Sequence, residues 1–230
     1  MLSAQLARDG QEARPLNLVC VFGPARAGKS TLLNLFQDST GTFTVSGSAD
    51  PCTQGVDVSS TIFGLQDFLH AGGADTPANS GQHDQTGPLI GFVDAEGSGD
   101  RHESYELKLV TPVIIVSRVV VYNWKGLPNR ATMLSSLAVL AMAAAAVDDS
   151  ERSNAFGCLV ILCRDVDPSE EENCGRKVMG IEDETAAEED DGFGESEEAQ
   201  AATKRRNNIR RQLQDAFATV IVKCLPDPFA

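Results

Sequence analysis

The most informative stretch of this sequence for its fold is Gly23-Pro24-Ala25-Arg26-Ala27-Gly28-Lys29-Ser30. It fits the pattern GxxxxGKS, in which glycines let backbone N–H groups turn inward around phosphate oxygens. In such a loop Lys29 would bridge the β- and γ-phosphates of a nucleotide, and Ser30 would give its hydroxyl to Mg²⁺. Many proteins match the bare pattern by chance, so the flanking sequence decides its meaning.

The loop lies between two elements of different periodicity. Leu16 to Phe22 is a short apolar run that ends at a glycine, which predicts a buried strand. Ser30 to Gln37 has helical spacing, with apolar residues on one face. Strand, glycine-rich turn and helix in this order are the context that a phosphate-binding loop requires. We therefore expect the eight loop residues, and Thr31 after them, to bind nucleotide.

A second apolar run ends in a carboxylate. Leu89 to Val93 predicts the next buried strand, and Asp94 follows it directly. An Asp in this place holds magnesium in such proteins, usually through water, because Mg²⁺ keeps much of its hydration shell. Asp94-Ala95-Glu96-Gly97 also fits the DxxG pattern of GTPases, in which Gly97 would present its N–H to the γ-phosphate. Ser30 and Asp94 are thus predicted magnesium ligands.

Two further candidates rest on position alone. Thr53, in the loop Pro51-Cys52-Thr53-Gln54-Gly55, could give its hydroxyl to the same magnesium ion. Asp165 follows the buried strand predicted for Phe156 to Cys163, and its carboxylate could accept from N1–H and the 2-amino group of guanine. The chain has no Asn/Thr-Lys-x-Asp tetrapeptide, the usual guanine-reading signature. On the residues alone, a surface ion pair explains Asp165 equally well.

Strands and helices alternate along the chain. The other predicted strands are Val56 to Leu65, Arg118 to Tyr122 and Thr219 to Leu225. The other predicted helices are Glu103 to Ser117, kinked or restarted at Pro112, Asn129 to Val147 and Lys204 to Phe217. This alternation predicts an α/β fold of the phosphate-loop NTPase type, a three-layer α/β/α arrangement with a mostly parallel central sheet and helices on both faces. Gly23, Asp94 and Asp165 should meet at one edge, where the ligands of such sheets bind.

Charge is concentrated in one segment. The 230 residues suit one domain, expected at 16–228 after a flexible lead-in at 1–15. The formal net charge of −14 argues against a nucleic-acid or anionic-membrane binder. Ten of the 33 acidic residues lie between Glu182 and Glu198, where no basic residue occurs. We expect an acidic, low-complexity insertion at about 167–203 to be a disordered or mobile loop, with Lys204 to Arg211 as its electrostatic counterweight.

The cysteines predict no metal site. They form no CxxC pair and no Cys/His spacing typical of zinc, and those in apolar runs should pack as small hydrophobes. Met1 to Arg14 lacks the apolar core of a signal peptide, so the reduced cytosol is the expected location and the protein is expected to be cytoplasmic. Ala131 to Val147 is uncharged, but its 17 residues fall short of the ~20 of a spanning helix, so no integral membrane segment is expected.

Five motifs in a fixed order resemble the G domain of the guanylate-binding proteins and atlastins, within the dynamin superfamily. The resemblance covers about residues 16 to 228 and includes the closing helix and strand. The motifs stand here at Gly23–Ser30, Pro51–Gly55, Asp94–Asp100, Val121–Gly126 and Arg164-Asp165.

The resemblance implies a Mg²⁺-dependent enzyme that hydrolyses GTP to GDP and phosphate. Arg26 would be an internal arginine finger that stabilises charge on the transferred phosphate, and Arg164 and Asp165 would bind the nucleotide, with Asp165 as guanine reader. G domains of this family commonly pair head to head across the nucleotide, so a nucleotide-dependent homodimer is implied. The expected catalytic residues are Arg26, Lys29, Thr53 and Gly97, and the expected magnesium ligands are Ser30, Thr53 and Asp94.

Departures from the family leave alternatives open. Ala95 replaces a common threonine, and Pro51 stands where some relatives have a serine that places the attacking water. The helical region that follows the G domain in relatives is not found. A GTP-gated interaction module with little or no hydrolysis is therefore one alternative. An ATP-using phosphate-loop protein is another, which the DxxG pattern and Arg164-Asp165 disfavour.

Overall fold

Strands and helices alternate in the computed structural model, which describes residues 14–37, 41–45, 55–71, 87–95, 103–145, 156–184 and 197–227. The strands in these ranges are β1 (Leu16–Phe22), β2 (Val56–Val58), β3 (Phe63–Gly64), β4 (Leu89–Ala95), β5 (Ser117–Lys125), β6 (Phe156–Arg164) and β7 (Phe217–Leu225). The helices there are α1 (Lys29–Phe36), α2 (Leu65–Ala71), α3 (Glu103–Val116), α4 (Arg130–Ala145), α5 (Glu171–Met179) and α6 (Glu197–Ala216), with a 3₁₀ turn at Pro168–Glu170.

All seven described strands form one sheet. Its order is β2-β4-β1-β5-β6-β7, and β3 also pairs with β4. The five long strands run parallel, whereas β2 and β3 pair antiparallel with β4. The predicted α/β fold with a mostly parallel sheet is confirmed. The single strand expected at Val56 to Leu65 is instead two short strands, because the chain bends at Ser59–Thr61 and pairs with β4 twice.

The two sides of the sheet bury different side chains. On β1, Cys20 and Phe22 belong to a core that includes residues of α3, α4, α5 and α6. Val21, between them, belongs to a second core with residues of α1 and α2. Successive side chains of a strand point to opposite faces, so each face of β1 is buried against its own helices. This arrangement is compatible with a three-layer α/β/α fold.

Pro112 does not end α3, which continues through it to Val116. Thr111 Oγ1 donates to the Leu107 carbonyl at 2.7 Å, within the turn where a proline has no N–H to offer. Ser117 directly follows the helix, and its hydroxyl donates to the Val113 carbonyl at 2.7 Å. Side-chain hydroxyls thus add hydrogen bonds to carbonyls on both sides of the proline.

The expectation of a mobile loop at 167–203 is wrong at both ends of this segment, where the structure has helices. Asp167 Oδ1 accepts hydrogen bonds from the N–H and the hydroxyl of Ser169, at 2.8 Å and 2.7 Å, and so caps the 3₁₀ turn. The acidic first turn of α5 suits the positive end of its helix dipole, and Cys174 and Val178 are buried beneath it. α6 already begins at Glu197. Residues 185–196 lie outside the described residues.

Arginines of α6 compensate part of the acidic segment, as predicted. Arg210 is fully buried and donates to Glu182 Oε1 at 2.7 Å and to the Lys177 and Val178 carbonyls at 3.1 Å and 2.8 Å. Arg206 also pairs with Glu182, at 2.8 Å. Since the two carbonyls lie at the end of α5, Arg210 caps one helix from another. Among the described helices, none is long and apolar enough to cross a membrane.

Candidate functional site

Three left-handed residues shape the loop between β1 and α1. Gly23, Arg26 and Gly28 have φ values of 142°, 62° and 75°. A Cβ at Gly23 would overlap the backbone carbonyl of Asn123, so glycine is required there for space as well as for φ. Gly28 is the last residue before α1 and no side chain caps this helix. The first backbone N–H groups of α1 therefore face the loop.

Lys29 bends back over the loop that precedes it. Its side chain is buried, and Nζ donates to the Pro24 carbonyl at 3.1 Å. This hydrogen bond holds the ammonium group at the loop. A buried ammonium gains most from an anionic partner, because charge-assisted hydrogen bonds are roughly twice as strong as neutral ones.

Ser30 and Asp94 are brought together. Ser30 Oγ donates to Asp94 Oδ2 at 2.6 Å, although the two residues lie in different elements, α1 and β4. Asp94 is fully buried within β4 and stands in register with Val21 of β1. Parallel pairing of β1 and β4 therefore brings the carboxylate to the start of α1. Both predicted magnesium ligands among the described residues meet at this point.

The Asp94 carboxylate also affects its surroundings. Burial raises the pKa of Cys20, on β1, to about 12, and the negative charge of Asp94 contributes to that rise. This thiol consequently stays protonated near neutral pH. Cys20 belongs to the core and offers no nucleophile to the loop.

Two side chains, one from β5 and one from β6, bind the backbone of the loop. Asn123 is fully buried, and its Nδ2 donates to the Ala27 carbonyl at 2.8 Å. Arg164 Nη2 donates to the same carbonyl, and its Nε donates to Asn123 Oδ1 at 2.8 Å. Arg164 was predicted to bind nucleotide, and the structure places its guanidinium on the loop backbone. Asn123 was missed as a site residue, although a buried amide at the end of an apolar strand was the available signal.

Asp165 lies at the same edge, directly after β6. It has a left-handed backbone, with φ of 61°, and forms an ion pair with Lys125 at 3.6 Å. Lys125 ends β5 and pairs in register with Arg164, while the Gly126 N–H donates to the Arg164 carbonyl at 2.7 Å. The ion pair considered for Asp165 is therefore present, and sequence reasoning missed Lys125 as its partner. Both side chains remain open to solvent, Lys125 more so, at 69% exposed against 27%.

The remaining predicted residues differ in placement. Arg26 and Thr31 are exposed, and Pro24 and Ala25 complete the turn of the loop. Thr53 and Gly97 lie outside the described residues, as do Pro51 and the second half of the DxxG motif. The described part of the site therefore consists of the loop, the Ser30–Asp94 pair and the ends of β5 and β6.

Together these groups offer a positively charged loop beside a hydroxyl and a carboxylate. Backbone N–H groups and an ammonium suit phosphate oxygens, and oxygen ligands suit a hard divalent cation. Searched against known proteins, the chain matches no protein-family model and no curated protein. The chemistry of the site is therefore inferred from its own residues.

Proposed function

We propose that this chain is a Mg²⁺-dependent GTP-binding protein that hydrolyses GTP to GDP and phosphate, with the fold of a phosphate-loop NTPase. The observation that carries the proposal is the 2.6 Å hydrogen bond from Ser30 Oγ to Asp94 Oδ2. It joins two oxygen ligands suited to Mg²⁺ at the end of a loop that has the sequence and the left-handed glycines of a phosphate cradle.

The triphosphate would lie in the curve of Gly23–Ser30. The N–H groups at the start of α1 and the positive end of its dipole favour an anion there. Lys29 would exchange its hydrogen bond to the Pro24 carbonyl for bonds to β- and γ-phosphate oxygens, which are stronger because both partners are charged. Binding energy then comes from groups that are already in position, with little reorganisation of the loop.

The donor set fits magnesium. Ser30 donates its proton to Asp94, and a serine oxygen also carries lone pairs of the kind that bind a cation. Ser30 would bind Mg²⁺ directly, and Asp94 would hold it through water. When bound, the ion neutralises charge on the phosphate oxygens. Thr53 remains a candidate for a further ligand.

Hydrolysis requires a positioned water and charge stabilisation but no covalent nucleophile. Arg26 projects from the loop and is exposed, with its backbone in a strained left-handed conformation. We assign it the role of arginine finger, supported by the order of motifs that resembles guanylate-binding proteins and atlastins. An exposed finger suits ordering by a second copy of the chain, so a nucleotide-dependent homodimer is part of the proposal. Gly97 would add a backbone N–H.

Base selection is assigned to Asp165. Its carboxylate would accept from the two guanine donors, N1–H and the 2-amino group, which adenine does not offer together. Asp165 directly follows Arg164, which reaches the Ala27 carbonyl, so the base reader adjoins the phosphate loop. Competition of ATP against GTP for a fluorescent guanine nucleotide should show a clear preference for GTP, and equal competition would contradict the assignment.

Magnesium dependence of GTP binding tests the proposal. In the wild type, affinity for GTP should rise as Mg²⁺ is added. Ser30→Ala should abolish most of that rise and lower the affinity for GTP roughly 10- to 100-fold. This is the range expected when a hydrogen bond to a charged group, or a metal ligand, is lost. Ser135→Ala, an exposed serine of α4, is the matched control and should behave as wild type.

Loss of the ammonium gives an independent measurement. Lys29→Ala should lower the affinity for GTP by about 100-fold or more, with and without Mg²⁺. Lys204→Ala, on the exposed face of α6, is the control and should not change the affinity. Circular dichroism would verify that the variants are folded. If Lys29→Ala and Ser30→Ala both retained the affinity of the wild type, the loop would not be a nucleotide site.

A further inference from the structure

Three cysteines distant in sequence meet in the core. The Sγ atoms of Cys163, Cys174 and Cys224 all lie within 4.8 Å of one another, and all three side chains are buried. Cys163 on β6 and Cys224 on β7 are directly paired in register. Cys174 comes from α5, which packs against β7. Three separate elements thus contribute one thiol each to a single point, which we call the thiol cluster.

We propose that the thiol cluster is a binding site for one thiophilic metal ion of the zinc class, held by Cys163, Cys174 and Cys224. This site shares no ligand with the loop, Ser30 or Asp94, so it does not depend on the proposed GTP hydrolysis. Sequence spacing contained no indication of it, because the three cysteines form no CxxC pair and no spacing typical of zinc.

The distances suit a metal ion. Zn–S bonds are about 2.3 Å long, which places the sulfurs of a tetrahedral site about 3.8 Å apart. Thiols already within 4.8 Å of one another need to move by no more than about 1 Å to reach that spacing. Three protein ligands with one open position are an established arrangement for zinc, and thiolates favour soft or borderline ions over Mg²⁺.

The surroundings hold the ligands in place. Glu171, one helical turn before Cys174, pairs with Lys223 Nζ at 2.6 Å and accepts from the Cys224 backbone N–H at 3.4 Å. These contacts fix the start of α5 against the end of β7, which are the elements that carry two of the three thiols. A site held on a helix and paired strands loses little conformational entropy when the ion binds.

Burial favours the protonated thiol at two of the three cysteines. Burial raises the pKa of Cys163 to about 12, with further contributions from the neighbouring thiols, and burial raises the pKa of Cys224 to about 11. Near neutral pH these thiols are protonated and weakly reactive. A metal ion displaces the thiol protons as it binds, with one proton released to solvent for each new metal–thiolate bond.

The test is a metal titration of the full chain, purified under reducing conditions and stripped with a chelator. Zn²⁺ binding would be followed by competition with a chromophoric chelator, and Cd²⁺ by its thiolate charge-transfer absorption. We expect one ion per chain. Cys174→Ser and Cys224→Ser, made separately, should each weaken Zn²⁺ by roughly 100-fold or more, since each removes one metal–thiolate bond. Cys158→Ser is the matched control on β6, outside the cluster, and should bind as wild type.

Several results would overturn the proposal. Wild type that takes up no Zn²⁺ and shows no Cd²⁺–thiolate absorption under reducing conditions would remove the site, whether or not the variants fold. Equal affinity in Cys158→Ser and Cys174→Ser would place the ion elsewhere. A disulfide between two cluster cysteines, found by mass spectrometry in a chain that binds no metal when reduced, would make the cluster a redox pair instead.

Discussion

Arg164 Nε donates a hydrogen bond of 2.8 Å to Asn123 Oδ1, and both side chains also donate to the Ala27 carbonyl. Because a trans peptide holds its C=O and N–H in opposite directions, fixing this carbonyl toward β5 and β6 turns the Gly28 N–H the other way. A carbonyl facing the loop would repel phosphate, and the pair prevents that. Asn123 and Arg164 thus orient the loop rather than merely stabilise the sheet.

Asn123→Ala should therefore weaken GTP binding by about tenfold and lower the free energy of unfolding by about 1–3 kcal/mol. The substitution leaves Arg164 without its Oδ1 acceptor and the Ala27 carbonyl with one donor fewer. Isothermal titration with GTP and urea unfolding would measure the two effects. Asn208→Ala, exposed on α6, is the control and should change neither. Unchanged GTP affinity in a destabilised Asn123→Ala would restrict Asn123 to a structural role.

Two substitutions at Arg26 distinguish the effect of its charge from the effect of its backbone conformation. Arg26→Ala and Arg26→Gly both remove the guanidinium, so under the proposed role both should lower single-turnover phosphate release by roughly 1,000-fold or more, the effect typical of arginine fingers. Only glycine relieves the left-handed φ of 62°, so Arg26→Gly should be more stable than Arg26→Ala by about 1 kcal/mol.

The Arg26 measurements also separate the candidate functions. Turnover that survives in both variants would remove Arg26 from catalysis. If the wild type binds GTP and dimerises but releases no phosphate, the chain is the GTP-gated interaction module. Light scattering with GTP, GDP and a transition-state mimic would report the dimer.

Asp165→Asn should lower the affinity for GTP by roughly 10- to 100-fold, and the variant should bind xanthine nucleotides. The asparagine amide donates to the carbonyl that xanthine carries in place of the guanine 2-amino group, whereas the carboxylate accepts from that amino group. Competition binding with GTP and xanthosine triphosphate measures the exchange. Asp215→Asn on the exposed face of α6 is the control. Unchanged preference for guanine would remove Asp165 from base selection.

Stability should depend on Glu182 in acid. Hydrogen bonds from Arg206 and Arg210 outweigh partial burial and lower the pKa of Glu182 from 4.5 to about 2. A depressed pKa contributes stability that is complete above pH 4.5 and is lost as pH falls toward 2. Because a tenfold change in proton affinity corresponds to about 1.4 kcal/mol, and solvent screens these partly exposed pairs, Glu182 contributes at most about 3 kcal/mol.

Urea unfolding between pH 7 and pH 2 measures this effect. Glu182→Gln should be less stable than wild type at pH 7, because buried Arg210 loses its charged partner, and the difference should shrink below pH 4.5. Glu172→Gln, exposed on α5, should stay within about 0.5 kcal/mol of wild type at pH 7. A Glu182→Gln difference that does not change with pH would contradict the assignment.

Local signals predicted much of the fold. The apolar run Leu16–Phe22, the loop and the helix after it are read from neighbouring residues, since hydrophobic periodicity and glycine conformation act over a few positions. The boundaries of α4, β6 and β7 were likewise close to the expected ones, whereas β5 continues to Lys125, three residues past its expected end. The helix α5 was missed, because its acidic sequence resembles a solvated loop. Only the tertiary structure shows that Cys174 and Val178 are buried in the core.

By itself the sequence determined the glycine-rich turn between β1 and α1, the identity of Lys29 and Ser30, and the alternation of strands and helices. Only the tertiary structure decided that Asn123 and Arg164 hold Ala27, across 96 and 137 positions of the chain, and that three cysteines share one point. The physical reason is strand register. Pairing of parallel strands sets which residues meet at an edge, and no local pattern specifies that pairing.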